Sequence, residues 1–221
     1  MRIEPKEKRA IVFVDGQNLF HAARSAFGYH YPNYDIAKLG RLTCEKHGWV
    51  CTAIRFYTGV PDANDDAFWN HFWVAKLGAM GRQDVAVFSR SLRYRNKTML
   101  LPDGAEHSFL VGQEKGIDIR IALDVVRASR KSECDVAVVF SQDQDLSEVA
   151  DEVRTIAREQ KRWFKIASAY PYSPTSQNRR GVNKTDWIRI DRALYDQCLD
   201  KADYRPKPRQ PPQAKTPTES Q

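Results

Sequence analysis

Ile11-Val12-Phe13-Val14-Asp15-Gly16-Gln17-Asn18 reads as a buried strand that empties into an acidic turn and then a helix start. Four consecutive apolar residues, mostly β-branched, suit the interior of a parallel sheet, where both faces are covered. Asp15 closes the run, and Gly16 permits a tight turn or the close approach of a ligand. Asp-Gly pairs are common in plain turns, but turn chemistry leaves Asn18, three residues on, unexplained. Asn18 stands where a helix begins, so an ordinary N-cap competes with a functional role there.

Working outward, the pattern recurs. Val136-Ala137-Val138-Val139-Phe140 is a second continuous apolar run, and it passes through Ser141-Gln142 into Asp143-Gln144-Asp145. A third acid, Asp118, follows Lys115-Gly116-Ile117 at the start of a helical pattern. Weaker apolar runs at residues 50–57, 85–88 and 164–169 alternate with helical patterns at 19–27, 35–47, 65–80, 116–128 and 145–159. Leu194, Tyr195 and Leu199 suggest a last short helix. Alternating strand and helix predicts a three-layer α/β/α sandwich with a mainly parallel central sheet. Ligands bind such sheets beyond the carboxyl ends of the strands, where Asp15 and Asp143 are both expected. Carboxylates that meet there repel one another and are costly to bury, and a hard divalent cation is the usual resolution.

Periodicity sorts the acids near residue 118. On a helix over 116–128, Arg120, Asp124 and Arg127 share one face at spacings of four and three, which reads as a solvated, charge-paired face. Asp118 instead falls above Ile121, Ala122 and Val125, on the inward side. A helix N-terminal acid favoured by the dipole is its structural alternative. Lys115 is placed to offset negative charge or touch a phosphate. Ser141 is placed to orient a carboxylate or bond a ligand. Asp145, with Glu148 three residues later, resembles the start of a capping box.

The chain has 221 residues and a formal net charge of +7, with 42% apolar residues, enough for one packed core. A basic excess beside a proposed acidic site suits a protein that handles a polyanion. Arg90, Arg93, Arg95 and Lys97 surround Leu92 and Tyr94 in a segment, 89–101, that reads as an irregular strand or hairpin arm. Tyr94 there is a candidate for stacking on a base, a contact worth ~1–3 kcal/mol. Arg179, Arg180 and Lys184 form a second basic group, and Arg205, Lys207 and Arg209 a third. Five of the eleven prolines fall in 205–221, a stretch without large apolar residues that is expected to be a disordered tail after a domain over 1–204.

Cys44, Cys51, Cys134 and Cys198 show no Cys-x-x-Cys pairing, which argues against a zinc site and a disulfide framework. Cys134, just before the second apolar run, is expected in or near the core. No signal peptide or membrane-length apolar run is visible, so a reducing cytoplasm is the expected compartment. The five histidines fit no catalytic triad, although His21 lies one turn from Asn18. An Asp-x-Asp pair after the first strand, expected of a phosphotransfer enzyme with an aspartyl nucleophile, is absent.

Taken together, Val-Asp-Gly-Gln-Asn (14–18), Lys-Gly-Ile-Asp (115–118) and Ser-x-Asp-x-Asp (141–145) resemble the NYN domain, a PIN-like nuclease family, over roughly residues 11–169. The resemblance implies a PIN-like fold, clustered aspartates binding Mg2+ or Mn2+, and hydrolysis of RNA, exposed or single-stranded. It matches Asp15, Asp118 and Asp143 to the family's metal-binding acids, and Asn18 and Asp145 to further motif positions. One departure stands out: the family usually has Ser-Gly-Asp-Ser-Asp-Phe, and here Gln142 replaces the glycine. If glycine's freedom shapes that loop, an altered or slower site follows. Residues 183–191, Asn-Lys-Thr-Asp-Trp-Ile-Arg-Ile-Asp, look like an extension of bacterial relatives, with no chemistry assigned. The rival expectation is a non-catalytic module that binds RNA or a protein on the same fold.

Overall fold

The computed structural model describes residues 2–101 and 104–207. In chain order the elements are β1 (Lys8–Asp15), α1 (Gly16–Phe27), α2 (Ile36–Lys46), β2 (Trp49–Val60), α3 (Ala67–Gly81), β3 (Val85–Ser91), β4 (Arg93–Leu100) and β5 (Glu106–Gln113). There follow α4 (Ile117–Arg130), β6 (Val136–Phe140), a 3-10 turn (Gln144–Leu146), α5 (Ser147–Glu159), β7 (Lys165–Pro171), β8 (Asp186–Ile190) and α6 (Arg192–Gln197). Six strands make one sheet in the order β3-β2-β1-β6-β7-β8, and every neighbouring pair is parallel.

The strand order explains where the site lies. From β1 the chain steps outward to β2 and β3, then returns to the other side of β1 for β6, β7 and β8. β1 and β6 therefore flank the point where the order reverses, and a crevice opens beyond their carboxyl ends. Asp15 ends β1, and Ser141 to Asp143 follow β6.

Alternation along β1 builds a core on each face. Ala10, Val12 and Val14 pack with Leu19 and Phe27 of α1, Leu39 of α2, Phe72 of α3 and Leu194 of α6. Ile11 and Phe13 pack on the opposite face with Ile121 and Val125 of α4 and Val149 and Val153 of α5. All five β6 residues are buried, as a central parallel strand requires. Each buried Val or Phe contributes roughly 1.5–3 kcal/mol relative to exposure. The three expected layers are therefore present, with Cys134 fully buried in the second core.

Aspartates open four of the helices. Asp15, Asp35, Asp66 and Asp191 accept the backbone N–H of Asn18, Lys38, Trp69 and Leu194 at 2.9, 2.9, 3.0 and 2.7 Å, each cap worth ~1 kcal/mol. Asp15 is thus the N-cap of α1, and Asn18 is not. The cap at the other acidic loop also differs from expectation. Asp143, not Asp145, caps the 3-10 turn by accepting the Asp145 N–H at 3.0 Å, and α5 begins after it without a side-chain cap.

Two stretches gain definition in the fold. The arm expected over 89–101 is the end of β3 followed by β4, which pairs with β5 as an antiparallel hairpin separate from the main sheet. The 183–191 extension supplies β8, the edge strand beside β7. Residues 208–221, most of the expected disordered tail, lie outside the described residues. Among the described residues no helix is long and apolar enough to cross a membrane.

Candidate active site

Asp15, Glu114, Lys115, Gly116, Ile117, Asp118 and Asp143 line one cleft of ≈ 470 Å³ at the carboxyl edge of the sheet. Each acid arrives there by a different local device. Asp15 is delivered by β1 and held by the Asn18 N–H. Gly16 follows because a Cβ there would meet the Phe56 ring at 2.5 Å and the Tyr57 carbonyl oxygen at 3.0 Å. Asp118 sits in the first turn of α4. Gly116 precedes that helix with φ 72°, a left-handed conformation that favours glycine. Asp143 follows β6, and its backbone N–H donates to the Ser141 hydroxyl at 3.1 Å.

Glu114 was not singled out from sequence. It lies where the hairpin returns to the sheet, and its carboxylate accepts the Gly59 N–H at the end of β2. The available signal was its position, four residues before Asp118 and directly before Lys115-Gly116.

Electrostatics bind these acids into one system. Burial pushes the Asp15 carboxyl up to about 6; the Asn18 N–H and Ser141 hydroxyl oppose this, while charge on Asp143 and Asp118 adds to it. Burial likewise pushes Glu114 up to about 7, with charge on Asp15 and Asp118 adding to it. The cleft is therefore short of positive charge although the chain is basic.

The other candidate residues are distributed around this cleft. Ser141, fully buried, donates to Asp15 Oδ2 at 3.4 Å and so links the two strand-end acids. Asn18 Oδ1 accepts the Gln142 N–H at 2.9 Å, which ties α1 to the loop after β6. Asp145 is exposed on the 3-10 turn and is not part of the cleft lining. Arg90 ends on the Lys115 carbonyl oxygen at 3.4 Å, beside the cleft. Arg93 and Arg95 stand exposed on β4. Among the described residues, Lys115, Arg90, Arg93, Arg95, Lys97, Arg179 and Arg180 form no ion pair with a carboxylate.

One reading from sequence is corrected. Asp124 is not on a solvated face: it is 5% exposed and accepts from the Tyr57 hydroxyl at 3.0 Å as well as from Arg120 and Arg127. The Tyr57 side chain of β2 covers that side of α4. The Tyr94 hydroxyl, on the half-buried side of β4, is itself buried and faces the acidic turn at 62–66.

The donor set fits a divalent cation in chemistry and charge. The oxygens are hard, several carboxylates share one cleft, and burial plus charge repulsion disfavours ionisation of Asp15 and Glu114 without a counter-ion. Among the described residues no three His, Cys, Asp or Glu side chains converge tightly enough to enclose an ion by themselves. An ion held there would need waters among its ligands.

A family model for the NYN domain matches residues 9–161, which takes in β1 through α5 and all three acidic segments. The chain belongs to the NYN domain family. The parallel sheet with helices on both faces is this family's PIN-like nuclease fold. A crystal structure of a protein of unknown function from Vibrio parahaemolyticus is similar over 86% of this chain and 98% of that one, with TM-score 0.52 and 14% identity. A ribokinase from Giardia lamblia gives a weaker likeness, TM-score 0.36 and 9% identity, over 78% of this chain and 54% of that one. No curated protein matches the sequence. In the NYN domain described here, the segment after residue 161, including β8 and α6, lies beyond the family match.

Proposed function

We propose that this NYN domain is a metal-dependent ribonuclease that hydrolyses phosphodiester bonds in exposed or single-stranded RNA. The observation that carries the reading is the ≈ 470 Å³ cleft at the strand-order reversal, lined by Asp15, Glu114, Asp118 and Asp143. Unpaired basic side chains on β4, at Lys115 and at Arg179 and Arg180 supply the contacts for a polyanion. Four free cysteines suit a reducing compartment such as the cytoplasm.

In this reading Asp15, Asp118 and Asp143 hold Mg2+ or Mn2+. Such an ion, when bound, supplies an activated water and stabilises charge on the scissile phosphate. The chain's own residues position the reactants. Ser141 and the Asn18 N–H fix the Asp15 carboxylate, so its oxygens are aimed before substrate arrives. Asn18 also fixes the loop that carries Asp143. Asp145 supports the site from its exposed turn through water. Lys115, Arg90, Arg93 and Arg95 hold the phosphates on either side of the cut.

The test is incubation of metal-stripped protein with labelled single-stranded RNA after titration of Mg2+ or Mn2+. Cleavage is expected, and Asp15→Asn or Asp143→Asn should lower it by at least about 100-fold with the fold intact. The rival reading, a binding module without catalysis, draws on the incomplete convergence of the acids. Tight RNA binding without cleavage in either metal would establish it instead.

A further inference from the structure

The replacement of glycine by Gln142 has a structural counterpart outside the family match. The Gln142 side-chain amide donates to the carbonyl oxygens of Asn178 at 3.3 Å and Arg180 at 2.8 Å. The Gln144 amide donates to the Gly181 carbonyl oxygen at 3.1 Å, and its oxygen accepts the Asn183 N–H at 3.1 Å. Glycine and serine, the usual residues at these two places, lack the reach for these bonds. Ser168 accepts the Val182 N–H at 3.0 Å and donates to the Ser141 carbonyl oxygen at 3.1 Å, and the Tyr170 hydroxyl donates to the Arg179 carbonyl oxygen at 3.0 Å. Six backbone groups over residues 178–183 are thus satisfied by side chains of the site's own loop and of β7. An irregular segment held this way is built onto the shoulder of the cleft rather than laid over it.

A polar pocket of ≈ 220 Å³ lies between this segment and α1, lined by Asn18, His21, Ser25, Gln142, Gln177 and Asn178 among others. It shares the first turn of α1 with the carboxylate cleft, since Asn18 touches both Asp15 and Gln142. Its lining carries no carboxylate, ammonium or guanidinium group. Among the described residues the Ser25 hydroxyl, the Gln177 amide and the Asn178 amide nitrogen make no hydrogen bond within the protein. Amides and hydroxyls both donate and accept, which matches sugar hydroxyls and base edges. Arg179 and Arg180, exposed and without carboxylate partners, follow directly along the chain.

We infer that this pocket is a nucleotide subsite, taking the ribose 2′-hydroxyl and base edge of the residue next to the phosphate to be cut, and that Gln142 and Gln144 are positioning residues that hold its outer wall. The inference rests on the ribonuclease reading for the place of the cut, but its binding consequence stands apart from cleavage.

The test compares a labelled single-stranded oligoribonucleotide with its deoxyribose counterpart by fluorescence anisotropy in EDTA, and the ribonucleotide by cleavage kinetics in Mn2+. Wild type should bind the RNA at least about five-fold more tightly than the DNA, through contacts to the 2′-hydroxyl. Gln177→Ala, a change at an exposed side chain without partners, and the double variant Gln142→Gly/Gln144→Ser should each erase most of that preference. Both should raise KM for RNA while kcat holds. Equal affinity of wild type for the two strands, or an undiminished preference in Gln177→Ala, would overturn the subsite. An intact preference with no cleavage in Mn2+ would remove the nuclease reading and leave the subsite standing.

Discussion

Asp124 satisfies three donors from a position that is 5% exposed, and one of them, the Tyr57 hydroxyl, is itself almost fully buried. Asp124→Ala strands that hydroxyl without a partner, at a cost of roughly 1–3 kcal/mol. Urea unfolding should show the loss as a lower midpoint with an unchanged slope. A midpoint equal to wild type would mean that the Tyr57 hydroxyl finds another partner. A helical wheel correctly groups Arg120, Asp124 and Arg127 on one face, but it records nothing of what covers that face. The same blindness explains the capping roles. From sequence, Asn18 and Asp145 look like the capping residues and Asp15 and Asp143 like the functional ones. In the fold Asp15 and Asp143 occupy the cap positions and also line the cleft, because a strand-end acid one residue before a helix does both at once.

At the scale of elements, the C-terminal stretch is fastened to the helix layer by a buried cation. Lys76 of α3 is 1% exposed and donates to the Tyr34 carbonyl oxygen at 2.8 Å and to Asp200 Oδ2 at 3.1 Å. Burial holds its pKa down, and Asp200 works against that. The same strap joins Asp35 N–H to the Cys198 carbonyl oxygen at 2.7 Å and Asp200 N–H to the Asn33 carbonyl oxygen at 2.8 Å. Asp200→Ala leaves the ammonium buried and unpaired, which costs about 3 kcal/mol. Hydrogen exchange should then accelerate at residues 198–200 before it does in the sheet, and uniform acceleration would refute a local strap. The central strands were legible because burial on both faces writes an unbroken apolar run, as in β6. β8 was not, since an edge strand of five residues buries only Ile188 and Ile190, with Trp187 and Arg189 exposed beside them. The second strand of the hairpin, β5, has almost no buried face, so periodicity had nothing to record there.

Across the whole molecule, a net charge of +7 surrounds a cleft lined by four carboxylates, and this couples stability to pH. Asp15 rises from the usual 3.8 to about 6 in the fold, and Glu114 from 4.5 to about 7. Between those values the folded chain holds more protons than the unfolded one, so stability falls as pH rises. For Asp15 alone the fall amounts to roughly 3 kcal/mol, at 1.36 kcal/mol per unit, and is complete above about pH 7. His21 works in the opposite sense: burial lowers its pKa below 6.5, which adds stability as pH rises. Comparing wild type with Asp15→Asn cancels that contribution. In EDTA the variant should gain on wild type from about pH 4 and level off by about pH 7, read as a gap in Tm that widens and then holds. If Mn2+ binds this cleft as proposed, it should raise the wild-type Tm strongly at pH 7.5 and little at pH 5, where Asp15 and Glu114 hold protons instead. A Mn2+ shift of equal size at both pH values, or one retained in Asp15→Asn, would show that the ion binds elsewhere on the chain.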